Sequence, residues 1–149
     1  MAVQRVKRLQ TNLGKIKFDI ELKGPIVAVG GDSGTGKTLL FKALNNEMRL
    51  GNKELLLINY DTVSLLSEVN ESGTSPLESL LEHTRDKLIV MDNADILLSD
   101  GVNWKKILVE DDSNQYLLFC RYKEKIGKDQ VKSCRFICKD RRITAWYCT

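Results

Sequence analysis

Residues Gly31–Thr38 read GDSGTGKT. Gly31, Gly34 and Gly36 let the backbone curl so that successive N–H groups point inward, a cradle for phosphate oxygens. The four preceding residues of interest, Ile26–Val29, are IVAV, an apolar run suited to a strand buried on both faces. Downstream, Lys37–Leu50 places Leu40, Ala43, Leu44 and Met48 on one stripe and stops at Gly51, as a helix does. Strand, glycine-rich turn and helix in that order are the context in which the pattern G-x-x-x-x-G-K-[ST] has chemical meaning. The positive end of the helix attracts an anion. Lys37 can reach the β- and γ-phosphates of a nucleotide, and the Thr38 hydroxyl can ligate Mg²⁺. A plain turn between strand and helix is the competing reading, and the flanking elements weigh against it.

Working outward, Lys15–Lys23 (KIKFDIELK) alternates strictly, with Ile16, Phe18, Ile20 and Leu22 on one side and Lys17, Asp19 and Glu21 on the other. That period of two predicts a strand with one wet face near a sheet edge. Gly24-Pro25 reads as a turn. Glu54–Tyr60 (ELLLINY), Leu88–Met91 (LIVM) and Tyr116–Cys120 (YLLFC) read as further buried strands. TVSLLSEVN after Asp61 reads as a short helix. Ser75-Pro76-Leu77-Glu78 opens another, with an N-cap serine, proline at the first helical position and glutamate three after the cap. Asp95–Ser99 and Trp104–Glu110 fit short helices, and Lys123–Lys132 a basic connection. Cys134–Cys138 and Ile143–Cys148 flank KDRR as a hairpin. Strands alternating with helices predict an α/β fold in three layers, a mainly parallel sheet with helices on both faces. The first strand and the last hairpin are expected to be antiparallel and peripheral. The 149 residues fit one domain, 1–149, with 1–14 as a flexible N-terminal segment.

The stretch Leu88–Asp95, LIVMDNAD, runs four apolar residues into Asp92. Together, GDSGTGKT and LIVMD resemble the Walker A and Walker B motifs of the P-loop NTPases. The strand ELLLINY between them resembles the branch with AAA+, ABC and RecA-type ATPases, AAA-like proteins above all. The resemblance covers roughly Ile26 to Arg121. It implies the three-layer P-loop NTPase fold, with ATP and Mg²⁺ as ligands. Gly31, Asp32, Ser33, Gly34, Thr35, Gly36, Lys37 and Thr38 would cradle phosphate; Thr38 and Asp92 would hold Mg²⁺, Asp92 through the metal's water shell.

In that branch a glutamate often follows the aspartate and polarises the attacking water; here Asn93 stands in its place. Its amide cannot accept a proton but can orient a water. Asp95 could serve as the base if the chain turns back, although its position also suits an N-cap of ILLSD. Arg121, after the fourth strand, stands where a γ-phosphate sensor is found in AAA+ proteins. Arg141 or Arg142 could serve a neighbouring subunit, but a hairpin turn equally suits solvent exposure. The family's helical lid and the ABC-type LSGGQ segment are not evident. The expected function is therefore a slow or partner-completed ATPase acting as a switch, working with a protein partner or in a homo-oligomer. Two alternatives stand beside it: a nucleotide-binding interaction module with negligible hydrolysis, and a small-molecule kinase using Asp61 at the end of the second strand. The guanine-reading N-K-x-D pattern is absent, since NKEL at Asn52 ends in leucine, which favours ATP over GTP.

Composition narrows the partners. A 42% hydrophobic and 29% charged chain is an ordinary globular composition. No apolar run approaches the roughly 20 residues of a membrane helix, and MAVQRVKRLQ lacks the apolar core of a secretory signal, so the expected location is cytoplasmic. The net charge of +3 does not by itself support a nucleic-acid partner. Cys120, Cys134, Cys138 and Cys148 form no Cys-x-x-Cys pair and His83 is remote, so buried reduced thiols are expected, with no metal.

Overall fold

The computed structural model describes residues 4–31, 36–63, 76–98, 107–108, 110–121 and 131–147. In chain order its elements are β1 (Arg8–Leu13), β2 (Ile16–Glu21), β3 (Ile26–Gly30), α1 (Lys37–Arg49), β4 (Leu55–Ile58), α2 (Pro76–His83), β5 (Leu88–Met91), α3 (Ala94–Leu97), β6 (Gln115–Phe119), β7 (Lys132–Lys139) and β8 (Arg142–Tyr147). The strands make one sheet in the order β1-β2-β8-β7-β3-β6-β5-β4. Pairing is parallel except within the β1–β2 and β7–β8 hairpins. This is the α/β, mainly parallel architecture expected from the alternation of strands and helices.

Alternation of side chains sorts the core into two layers. Val27 and Val29, Val90, Leu117 and Phe119 point to one side, where α1 lays down Leu40, Ala43 and Leu44. Ile26 and Ala28, Ile89 and Met91, Tyr116 and Leu118 point to the other, where α2 contributes Leu77 and Leu81 and α3 contributes Ala94 and Leu97. Strands covered on both faces have no reason to alternate, and β3, β5 and β6 are buried at every residue. Among the described residues the β1–β2 ribbon packs only on the α1 side, through its own Leu9, Phe18 and Ile20, and it alternates accordingly.

Two features depart from the sequence expectation. Residues 8–13, inside the segment read as a flexible N-terminal stretch, form edge strand β1 against β2 in register Arg8↔Glu21 to Leu13↔Ile16. Its inward positions are Leu9, Thr11 and Leu13, and a central threonine blurs the apolar alternation. Second, the final hairpin is not wholly peripheral. Strand β7 runs parallel to β3, from Val27↔Lys132 to Gly30↔Arg135, inside the sheet. Only β8 turns back, through Asp140-Arg141, whose φ values of 52° and 62° make a tight two-residue turn with both centres left-handed.

At the amino edge of the sheet, buried polar groups are matched. Gln115 Oε1 accepts from Arg5 N–H (3.1 Å) and Val6 N–H (2.9 Å), and its Nε2 donates to Val6 O (2.7 Å). These bonds pin the chain leading into β1 to the start of β6.

Candidate functional site

Strands β3, β6, β5 and β4 are parallel neighbours, so their carboxyl ends share one edge of the sheet. Ligands of open α/β sheets bind outside that edge, where loops leave the strands. The elements gathered there are the start of α1, Asp92 after β5, Cys120 and Arg121 after β6, and Asn59 after β4.

Gly31 leaves β3 with φ 120° and Gly36 enters α1 with φ 106°, both in backbone territory that side chains rarely occupy. Gly36 is the N-cap of α1, and its carbonyl accepts from Leu40 N–H at 2.9 Å. It is also crowded: a Cβ there would lie 2.8 Å from Ile143 Cδ1, because β8 passes against the entry to the helix. Lys37 Nζ donates to Gly31 O at 2.5 Å and to Cys120 O at 3.3 Å. The ammonium is thus held between the ends of β3 and β6. Thr38, next on the helix, is exposed. Asp32, Ser33, Gly34 and Thr35 lie outside the described residues.

Strand β5 delivers Asp92 to the same edge. Its N–H donates to Ile58 O (2.9 Å), and its Oδ1 accepts from Asn93 N–H (3.0 Å), which orients the carboxylate. Asn93 adopts φ 50°, ψ 44° as N-cap of α3, with no side-chain capping bond; its carbonyl accepts from Ile96 and Leu97 N–H, each at 3.0 Å. Asparagine tolerates this left-handed conformation better than most residues. The sequence expectation that Asp95 is the N-cap is therefore corrected: Asp95 is the second residue of α3 and only 3% exposed. Arg121 is exposed beyond β6. Asp61 stands in a helical turn after β4, exposed, while Asn59 Oδ1 accepts from Thr62 N–H and Oγ1–H at 3.0 Å each.

Arg142 does not extend freely from the hairpin. Its guanidinium donates to Asp19, which also accepts from Arg8 Nε and Nη2 at 2.6 Å each. The Arg8 hydrogen bond is the largest influence holding the Asp19 carboxyl down at about 2, with Arg142 acting in the same sense and burial opposing. Cys120 and Cys134 are buried, whereas Cys138 is exposed on β7, unlike the buried position expected of it; Cys148 lies outside the described residues. The sequence reading missed the Cys120 carbonyl as a partner of Lys37, since a backbone oxygen leaves no mark in residue type. No helix among the described residues is long and apolar enough to cross a membrane.

Compared with known proteins, residues 27–132 match the family model described as ATPase family associated with various cellular activities (AAA). No individual curated protein matches the chain.

Proposed function

Because the chain belongs to the AAA family of ATPases, whose domains bind nucleotide, we propose that its carboxyl edge holds Mg-ATP in the cradle Gly31–Thr38 and turns it over slowly until a partner completes the site. The observation that carries this reading is the Lys37 ammonium, fixed between Gly31 O and Cys120 O at the mouth of α1. A cation on two carbonyls at a helix N-terminus suits phosphate oxygens. The exposed Thr38 hydroxyl and the Asp92 carboxylate are the hard oxygen donors that Mg²⁺ prefers, Asp92 through the metal's waters. Bound there, Mg²⁺ would neutralise charge on the β- and γ-phosphates. ATP over GTP rests on the absent guanine-reading pattern.

Hydrolysis joins a water oxygen to the γ-phosphorus, breaks its bond to the bridging oxygen, and needs a group to take the water's proton. The Asn93 amide orients water but accepts no proton. Asp95, two residues on and buried in the first turn of α3, is the nearest carboxylate in sequence after Asp92. Arg121, exposed after β6, is placed on the edge where a γ-phosphate would sit. A chain with this set is a switch that holds nucleotide longer than it cleaves it, completed by a protein partner or by another copy. Phosphate release by the purified chain, alone and with small hydroxyl acceptors, tests the reading. Slow release with ADP as the other product agrees with it. Rapid release by the isolated chain contradicts the slow switch, and phosphorylation of an acceptor assigns the site to a kinase.

A further inference from the structure

The half-sheet β1–β2–β8–β7 has one face on the α1 core. Its other face displays Lys17, Asp19 and Glu21 on β2, Arg142 and Trp146 on β8, and Arg135, Ile137 and Lys139 on β7, all but Ile137 polar or aromatic and with cations in excess. Trp146 is 54% exposed and Ile137 38%, two of the few large hydrophobic residues on the described surface. Cross-strand register makes them diagonal neighbours: Arg135 sits opposite Trp146, and Ile137 opposite Thr144. One step along, Lys139 pairs with Arg142 and Arg142 with Lys17, a row of three cations across three adjacent strands.

Like charges directly opposite one another are destabilising. The neighbouring carboxylate relieves the row only at Arg142, because Asp19 is shared between Arg142 and Arg8. Lys17, Arg135 and Lys139 make no ion pair among the described residues. A polyanion laid across the strands would supply the missing charge. The aromatic ring lies about 13 Å along β8 from the cation row, at about 3.3 Å per residue. We propose that this face binds single-stranded nucleic acid, its phosphates on the Lys17–Arg142–Lys139 row and a base stacked on Trp146 beside Arg135. A single strand fits because its bases have open faces for stacking, whereas a duplex hides them. An acidic protein segment would satisfy the cations but would leave the exposed ring without a planar partner. The charges come from distant parts of the chain and are gathered only by strand pairing, so a net charge of +3 understates them. The face lies on the opposite side of β8 from Ile143, the residue that packs against Gly36.

Fluorescence anisotropy of labelled oligo(U) and oligo(dT) with the full chain at low salt tests this. Both probes carry the base planes and phosphates that the face reads, and binding of either is the expected result. Trp146→Ala should weaken binding about five-fold or more, the lower end of what one stacked base contributes. Lys17→Gln and Lys139→Gln, at exposed positions that leave the core intact, should each flatten the dependence of log affinity on log salt by about 0.7. Thermal unfolding of each variant checks that the sheet is retained. The proposal is overturned if neither probe binds, if the two glutamine variants leave affinity and salt slope unchanged, or if a duplex or anionic vesicles bind as tightly as the single strands.

Discussion

Replacing Gly36 by alanine strikes two features at once. The backbone there has φ 106°, ψ −5°, outside the left-handed region that alanine reaches at modest cost. Holding a side-chain residue in such a conformation costs about 1–3 kcal/mol. The new Cβ would also meet Ile143 Cδ1 at 2.8 Å, with Cγ2 at 3.5 Å and Cγ1 at 3.7 Å. Carbon pairs prefer about 3.5–4.0 Å, so the Cδ1 contact is the one that must give. Ile143 is 1% exposed and cannot swing into solvent, which makes this an overpacking problem of about 1–3 kcal/mol. Together the two terms give about 2–6 kcal/mol, a large share of the roughly 5–15 kcal/mol that holds a domain folded. Equilibrium unfolding in urea without nucleotide measures it. Ile143→Val removes Cδ1 and separates the terms: alone it should cost about 0.5–1.5 kcal/mol, but in the Gly36→Ala background it should cost less or stabilise. A Gly36→Ala chain within about 0.5 kcal/mol of wild type, or two substitutions that simply add, would refute the account of this helix entry.

Other outcomes follow from the site and its surroundings. Mg-ATP at a hundredfold excess over its dissociation constant should stabilise the chain by about 2.7 kcal/mol in thermal unfolding, and Lys37→Ala should abolish that shift. Asn93→Glu should increase phosphate release while lowering stability by about 1–2 kcal/mol, because glutamate is strained at φ 50°; Asn93→Gly should keep the stability, and Asp95→Ala should abolish turnover if Asp95 is the base. The Asp19 carboxyl is held at about 2 against an ordinary 3.8, so its stabilising pairs with Arg8 and Arg142 are complete above about pH 4 and lost as pH falls toward 2. Acid titration of the unfolding midpoint should show that loss in wild type and less of it in Asp19→Asn. Elemental analysis of chain purified without added metal should find no stoichiometric zinc; a full equivalent would overturn the reading of the cysteines as plain thiols.

What could be read from residues alone was whatever a strong local pattern dictated. Helix α1 was expected over Lys37–Leu50 and runs Lys37–Arg49, because its stripe, its glycine-rich start and Gly51 all agree. The buried strands β3, β5 and β6 announced themselves as apolar runs with nothing to alternate against. Strand β1 did not, since its inward face spends one position on Thr11 and its outward face looks like any polar stretch. The place of β7 beside β3 is a matter of pairing partner, which no local pattern encodes. At the site, Lys37 and Asp92 stood out by motif, and both belong to the carboxyl edge. The reason for Asn93 was hidden, because it lies partly in a backbone angle: the residue that lacks a base is also one that fits a left-handed helix entry. Asp95 was misplaced by one common ambiguity, since an acid near a helix start suits the cap and the first turn alike.

The pairing of β2 with β8 has a consequence for how the chain acquires its structure. Strand β2 meets in parallel a strand made long after it, and the Asp19–Arg142 contact spans 123 positions. A two-stranded ribbon is marginal by itself, and although Leu9, Phe18 and Ile20 can pack on α1 early, the outer edge of β2 must wait for β8. Closing so long a loop adds about 0.6 kcal/mol for each doubling of its length, before any contact offsets it. The β2–β8 seam therefore closes late, after the β7–β8 hairpin has turned. Until that step the open edges of β2 and β8 are both available to the wrong neighbour, and the chain stays exposed to aggregation until its sheet is complete.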